Sequence, residues 1–272
     1  MGSPHPLPEV TRMCRHLAYV GPEVPLQDLL LRPPHSLLQQ AAEPGELRYA
    51  RMNADGFGFG WYGEDDVAVV YRRAEPIWQD PNLRDLARNL YADLWVAAVR
   101  SASPGFGADV VNAQPFASGD LLFSHNGLIE GFRPSVRRQI QELLDPEVEA
   151  EILGTTDSEY LFALIRQLLL DDENLSLEGA VVDAFSSVQS WLNAGKALLN
   201  VILTDGERLV ASRHSVNDPS PSLHYTLDDE AFPEGAVVIA SEPLTDPERW
   251  HSIPQGHLLI VVPDEPPELL AL

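Results

Sequence analysis

The sequence predicts an α+β domain, and three observations carry that prediction. Two pairs of β-prone runs, 57–62 with 67–72 and 197–204 with 208–212, are each joined by a short turn rich in Gly and Asp, the pattern of antiparallel hairpins. Residues 94–99 form an unbroken apolar run, the mark of a buried strand. Between these β regions, Leu161, Leu164, Ile165 and Leu168 recur at helical spacing behind the start signal Thr156-Asp157-Ser158-Glu159.

The chain has 272 residues, enough for one large domain. Its 18 basic and 41 acidic residues leave a net charge of −23, which repels phosphate backbones and anionic bilayers. Neither nucleic acid nor a membrane is therefore an expected partner, and the oligomeric state, a homo-oligomer included, stays open. One cysteine excludes an internal disulfide and any multi-cysteine zinc site. No export signal opens the chain and no apolar run reaches about 18 residues, so the cytoplasm is the expected location.

Residues 1–13 include a Pro-rich, aperiodic stretch that offers nothing to a core, and are expected to be a leader that is removed or not truly translated. Residues 14–262 then form a single domain, and 263–272 an acidic, Pro-rich, solvated tail. Residues 15–20 read as a strand stopped by Gly21-Pro22, and 26–31 and 36–41 as short helices. In the strand 57–62 the aromatic residues alternate, while Gly56, Gly58 and Gly60 lack the continuation of a dinucleotide loop and mark close backbone approach.

Leu83, Leu86, Ala87 and Leu90 share one helical face. Arg100 emerges where the buried strand ends, placed either to grip a carboxylate bidentately or to pair with one of the chain's own acids. The strand 121–124 runs into His125-Asn126-Gly127, where Asn-Gly signals a tight turn. An Asn amide and a Gly N–H at such a turn can aim two donors at one oxygen.

Helices are expected over 134–144 and 177–191, and strands over 237–240 and 258–262. Asp157 either favours the dipole of its helix or holds an ammonium group. His251 and His257, six apart across Pro254, make a poor metal pair, and no metal or cofactor is expected.

Cys14 is the residue to explain. A lone cysteine is commonly inert core. Cys14, however, follows Met13, and trimming after a methionine would free its α-amine. An amine of pKa ~7.7–8.0 beside a thiol of ~8.5 is matched to take the thiol proton near neutral pH.

Taken in order, Met13-Cys14-Arg15-His16, Asn53-Ala54-Asp55-Gly56, Ser124-His125-Asn126-Gly127 and Thr156-Asp157-Ser158-Glu159, with Arg100 between the second and third, resemble the class II glutamine amidotransferases. These are N-terminal-nucleophile hydrolases. The Pro76-Ile77-Trp78 loop, residues 96–102, the stretch from Pro115-Phe116 to Gly127 and Ala240-Ser241-Glu242-Pro243 are similar to the branch that hydrolyses γ-glutamyl-hercynylcysteine S-oxide in ergothioneine biosynthesis. The resemblance implies a four-layer αββα sandwich.

It also implies Cys14 as nucleophile with its α-amine as base, Asn126 and Gly127 as the oxyanion hole, and Arg100 and Asp157 as holders of the substrate α-carboxylate and α-ammonium. Ser103 keeps a hydroxyl where the broader family has Thr, and counts as a third substrate contact. The chain departs from that family in reading Arg100-Ser101-Ala102-Ser103-Pro104-Gly105 for Arg-Trp-Ala-Thr-His-Gly, and its branch in having Phe57 for Trp. The implied reaction is hydrolysis of a small γ-glutamyl amide through a thioester. Three other readings stand beside it: a glutaminase supplying ammonia to a partner synthetase, a Cys14/His125 thiol hydrolase, and a silent relative whose Cys14 is never N-terminal.

Overall fold

The computed structural model describes residues 14–45, 52–101, 109–227 and 229–272. In chain order the first elements are β1 (Arg15–Pro25), α1 (Gln27–Leu30), α2 (Leu37–Ala42), β2 (Phe57–Tyr62), β3 (Ala68–Arg73), α3 (Leu83–Asn89) and β4 (Tyr91–Val99). The middle comprises β5 (Phe116–Ser118), β6 (Leu121–Ile129), α4 (Arg137–Gln141), α5 (Pro146–Ala150), α6 (Asp157–Asp171) and α7 (Leu177–Trp191). The last part comprises β7 (Ala197–Thr204), β8 (Leu209–Arg213), β9 (Ser215–Val216), β10 (His224–Thr226), β11 (Val237–Ala240), β12 (His251–Ser252), β13 (His257–Val261) and β14 (Glu268–Ala271).

Among the described residues the strands form two antiparallel sheets. The first runs β12-β10-β11-β1-β4-β2-β3; the second runs β14-β13-β8-β7-β6-β5, with β9 on β7. Strand alternation builds the layers. On β1, Leu17 and Tyr19 pack with Leu29, Leu37 and Leu83 of the first helical layer, while Ala18 and Val20 meet Ile202, Leu209 and Leu259 of the other sheet. On β7, Leu199, Val201 and Leu203 pack instead against Leu161, Ile165, Val181 and Phe185 of α6 and α7. Three apolar layers thus separate four layers of structure, the αββα sandwich that the resemblance implies.

The alternating aromatic residues Phe57, Phe59 and Trp61 of β2 belong to an outer layer, while Tyr62 faces the other sheet. Phe59 stacks on Tyr71 at 5.0 Å and Trp61 lies 5.7 Å from Trp95, all on the helix side of the first sheet. Trp61 and Trp95 therefore fill the core rather than face the space between the sheets.

Three expectations need correction. β1 does not stop at Gly21-Pro22 but continues to Pro25, with an irregularity in register between Val20 and Val24. Asn126-Gly127 is not a turn: β6 runs straight through it, pairing Asn126 with Asn200 and Gly127 with Leu199. The cross-strand partners on β7 supply what a tight turn would otherwise satisfy. The final acidic segment is not simply a solvated tail, because β14 pairs with β13 in register from Glu268 to Ala271 while its side chains remain exposed. No described helix is long and apolar enough to cross a membrane.

Candidate active site

Cys14 and Arg100 stand at one end of the sandwich for a simple reason of register. Arg15 of β1 pairs with Val99 of β4, so Cys14 and Arg100 lie one residue beyond that pair on neighbouring strands. The loop before β2 pins the arginine: Arg100 N donates to Gly56 O at 2.8 Å, Asp55 N donates to Arg100 O at 3.0 Å, and Arg100 Nη1 donates to Asp55 O at 3.4 Å. Gly56 is required by its own backbone conformation and by the neighbouring strand β3. Its φ is +126°, and a Cβ there would lie 2.9 Å from Arg73 O.

The half-buried Cys14 thiol is pushed up from its ordinary pKa by burial, pulled back by a hydrogen bond from the Ser101 backbone and by the nearby Arg100, raised again by Asp157 and lowered by Arg15. The nucleophile candidate thus feels the fields of both expected substrate-holding charges.

Asp157 opens α6. Thr156 is the N-cap, its Oγ1 accepting from Glu159 N at 3.2 Å. Glu159 does not complete a capping box; its carboxylate accepts instead from Leu153 N at 2.9 Å and Gly154 N at 2.7 Å. The Asp157 carboxylate accepts from Ser158 N at 2.9 Å and from Ile129 N at 2.8 Å, which ties the first turn of α6 to β6. An ionised carboxylate offers about four lone-pair sites, so these two bonds leave it able to accept from an ammonium.

Backbone direction makes β6 the third wall. Leu199 N donates to His214 O and Leu199 O accepts from Ser212 Oγ, so the odd residues of β7 turn towards β8 and β9. Antiparallel pairing then sends the N–H groups of His125, Gly127 and Ile129 away from β7, towards the edge where β5 pairs only with Leu121–Phe123. The His125 and Ile129 amides are capped there by Gln114 Oε1 at 2.6 Å and Asp157 Oδ2 at 2.8 Å. The Gly127 N–H points to the same open edge between them.

Asn126 projects the other way, between the sheets, where its Nδ2 donates to Ser241 Oγ at 3.3 Å. One of its two amide hydrogens remains for another acceptor. An amide side chain and an adjacent backbone N–H are thereby presented by neighbouring residues of one strand, without a turn.

His125 lies on the helix side of its strand. Its Nδ1 meets Ser158 Oγ at 3.0 Å and its Nε2 meets Leu198 O at 2.8 Å, so both ring nitrogens are engaged on the face opposite Asn126. Burial lowers its pKa, against a raising influence from Asp157. This placement removes the basis for a Cys14/His125 pair. His16, between the sheets, contacts Ser124 Oγ through Nδ1 at 3.3 Å, and burial holds its pKa down at about 3.

The site residues expected from the sequence are carried on four elements: Cys14 before β1, Arg100 after β4, Asn126 and Gly127 on β6, and Asp157 on α6, and the charges of Arg100 and Asp157 act on the Cys14 thiol. Ser103 lies outside the described residues. The sequence reading assigned no role to Gln114, Ser241 or Glu242, although Ser241-Glu242 falls directly at the end of a buried strand, as Arg100 does.

Residues 46–268 match the family described as glutamine amidotransferases class-II. The γ-glutamyl-hercynylcysteine sulfoxide hydrolase of Mycolicibacterium smegmatis is 32% identical over 249 residues, 92% of this chain and 96% of that protein. A protein of Saccharomyces cerevisiae named probable glutamine amidotransferase DUG3 is 30% identical, covering 92% of this chain and 82% of its own. Among solved structures, a glutamine aminotransferase class-II domain protein from Silicibacter pomeroyi superposes with a TM-score of 0.68 at 25% identity, over 95% of this chain and 99% of that one. The glutamine phosphoribosylpyrophosphate amidotransferase of B. subtilis shares the fold with a TM-score of 0.65 at 16% identity, over 95% of this chain and 49% of that one.

The fold and the family together define an amide-bond hydrolase built on an αββα sandwich. This chain belongs to the class II glutamine amidotransferases.

Proposed function

We propose that the protein hydrolyses the γ-glutamyl amide of γ-glutamyl-hercynylcysteine S-oxide, releasing glutamate and hercynylcysteine S-oxide in ergothioneine biosynthesis. The observation that carries this reading is the β1–β4 register, which sets Cys14 beside Arg100, with the charge of Asp157 also acting on the thiol. A γ-glutamyl group bears a carboxylate and an ammonium at the end remote from its scissile amide, and one cation and one anion beside a thiol complement it. The names of three relatives at 30–32% identity, each a γ-glutamyl-hercynylcysteine sulfoxide hydrolase, support hercynylcysteine S-oxide as the leaving group.

In this scheme, loss of residues 1–13 frees the Cys14 α-amine. The amine takes the thiol proton, and the thiolate adds to the γ-carbonyl carbon. Asn126 Nδ2 and Gly127 N–H hold the resulting oxyanion. Collapse breaks the C–N bond, and the α-ammonium returns its proton to the departing amine. Water, deprotonated by the same α-amine, then cleaves the γ-glutamyl thioester and restores the thiol.

The test compares protein made from the full reading frame with protein initiated at Met13, recording intact mass and γ-glutamyl hydrolase activity for both. Active material should begin at Cys14, and material retaining the leader should be inactive. Equal activity of the leader-bearing form would exclude the α-amine as base.

The similarity to a probable glutamine amidotransferase favours a second reading, a glutaminase that feeds ammonia to a partner. Glutamine and a γ-glutamyl thioether sulfoxide, assayed side by side, separate the two. Efficient ammonia release from glutamine would displace the sulfoxide as substrate.

A further inference from the structure

Ser241 and Glu242, which follow directly on β11, take no part in that scheme, yet they hold two of its members. Ser241 Oγ accepts from His16 N at 3.1 Å and from Asn126 Nδ2 at 3.3 Å, and it lies 3.3 Å from His16 O. Ser241 N also donates to His16 O at 3.0 Å. One hydroxyl therefore joins the start of β1, in the first sheet, to the Asn126 amide in the second.

Glu242 reaches the nucleophile by another route. Its Oε1 accepts from Arg15 Nε at 2.7 Å, with Nη2 also 2.7 Å away, while Arg15 Nη1 donates to Cys14 O at 3.0 Å. Its Oε2 meets His35 Nε2 at 2.7 Å and accepts from Gly45 N at 2.9 Å, and its own carbonyl accepts from Gln40 Nε2 at 3.1 Å. Arg15, Ser241 and Glu242 are all about 1% exposed or less.

A buried ion pair gains little over well-packed apolar groups, because desolvation offsets its attraction. The Arg15–Glu242 pair is thus poorly explained as a source of stability. Its geometry suggests a different use: the one guanidinium nitrogen not aimed at Glu242 is aimed at the carbonyl of the cysteine.

We propose that Ser241 and Glu242 are positioning residues, forming a clamp that sets nucleophile and oxyanion donor relative to each other. Glu242 orients Arg15, which fixes the Cys14 carbonyl and with it the place of the Cα from which the α-amine and thiol branch. Ser241 takes one Asn126 amide hydrogen and thereby sets the amide plane, directing the second hydrogen towards the oxyanion. The clamp rests on the roles given above to Cys14 and Asn126.

A double-mutant cycle on the mature enzyme tests it, with steady-state kinetics and thermal midpoints measured for each variant. Asn126→Ala, which removes a donor, should lower kcat by about 10²–10³. Ser241→Ala leaves the donor present but unaimed and should lower kcat about tenfold, with KM changed less than twofold. In the Asn126→Ala background, Ser241→Ala should cost nothing further, since the group it aims is gone. Glu242→Gln, chosen because it keeps shape and avoids leaving a cavity, should lower kcat at unchanged KM.

Losses that multiply fully in the Ser241/Asn126 double variant would overturn the Ser241 half while leaving the oxyanion reading intact. Unchanged kcat in Glu242→Gln would overturn the Glu242 half. Full activity of Asn126→Ala would overturn the clamp and the underlying oxyanion reading together.

Discussion

Gly127 is constrained from two sides. A Cβ at this position would lie 1.8 Å from Leu198 O and 2.4 Å from His125 Nε2, contacts that no side chain tolerates without backbone movement. The absence of a side chain thus lets the His125 ring bridge to β7 over residue 127 while the Gly127 N–H faces the open edge. Gly127→Ala should therefore destabilise the fold by about 1–3 kcal/mol through overpacking. It should also lower kcat by at least tenfold by shifting the edge amide; a variant with wild-type kcat would show that this N–H is not an oxyanion donor.

Cys14 gives a second prediction at this scale. Burial is the largest influence on its thiol and acts upward, so the protonated form is favoured in the native state. Its alkylation by iodoacetamide in the folded protein should keep rising with pH beyond the midpoint of an unhindered thiol, about 8.5. A midpoint below that of denatured protein would mean that Arg100, Arg15 and the Ser101 amide outweigh desolvation.

At the scale of elements, α6 ties the charge of Asp157 to the edge of β6. Its N-cap is Thr156, and removing such a hydroxyl costs about 1 kcal/mol. Because Asp157 binds Ile129 N from the first turn, loosening the cap should also raise KM for a γ-glutamyl substrate more than it lowers kcat. Thr156→Ala, measured by thermal midpoint and steady-state kinetics, checks both; a stability loss with KM unchanged would detach Asp157 from ammonium binding.

The same elements show what could be read from the sequence and what could not. Periodicity revealed the buried strand ending at Arg100 and the helix opening at Asp157, because a solvent-averse face leaves a local pattern. Asn126-Gly127 misled as a turn because its conformation is set by β7, more than seventy residues later in the chain. Local chemistry cannot show a partner strand that far away. Gln114 was invisible for a different reason: it bonds His125 N and O from just before β5, close in sequence, but a glutamine carries no mark of that use. The Ser241-Glu242 pair stood out only by resemblance, since its hydrogen bonds span 115 to 227 residues of sequence.

At the scale of the whole molecule, the layer between the sheets changes character along its length. Ala18, Val20, Ile202, Leu209 and Leu259 make it apolar, whereas His16, Ser124, Asn126 and Ser241 make it polar at the Cys14 end. Polar groups placed there must be neutral or paired, and His16 is held neutral by desolvation, with a pKa of about 3.

The sign of the consequence follows from linkage. Below about pH 6.5 the unfolded chain protonates this histidine and the folded chain does not, so stability falls as pH falls until the folded pKa is reached. Between pH 6 and 4 that single group should remove about 1.4 kcal/mol per pH unit. Burial also lowers the pKa of His125 and His214, so the wild-type slope should be steeper than one proton requires. Urea unfolding across this range should therefore show a slope reduced by about one proton in His16→Asn relative to wild type. An unchanged slope would mean that His16 gains a proton in the folded state, and that the layer between the sheets admits charge as readily as water does.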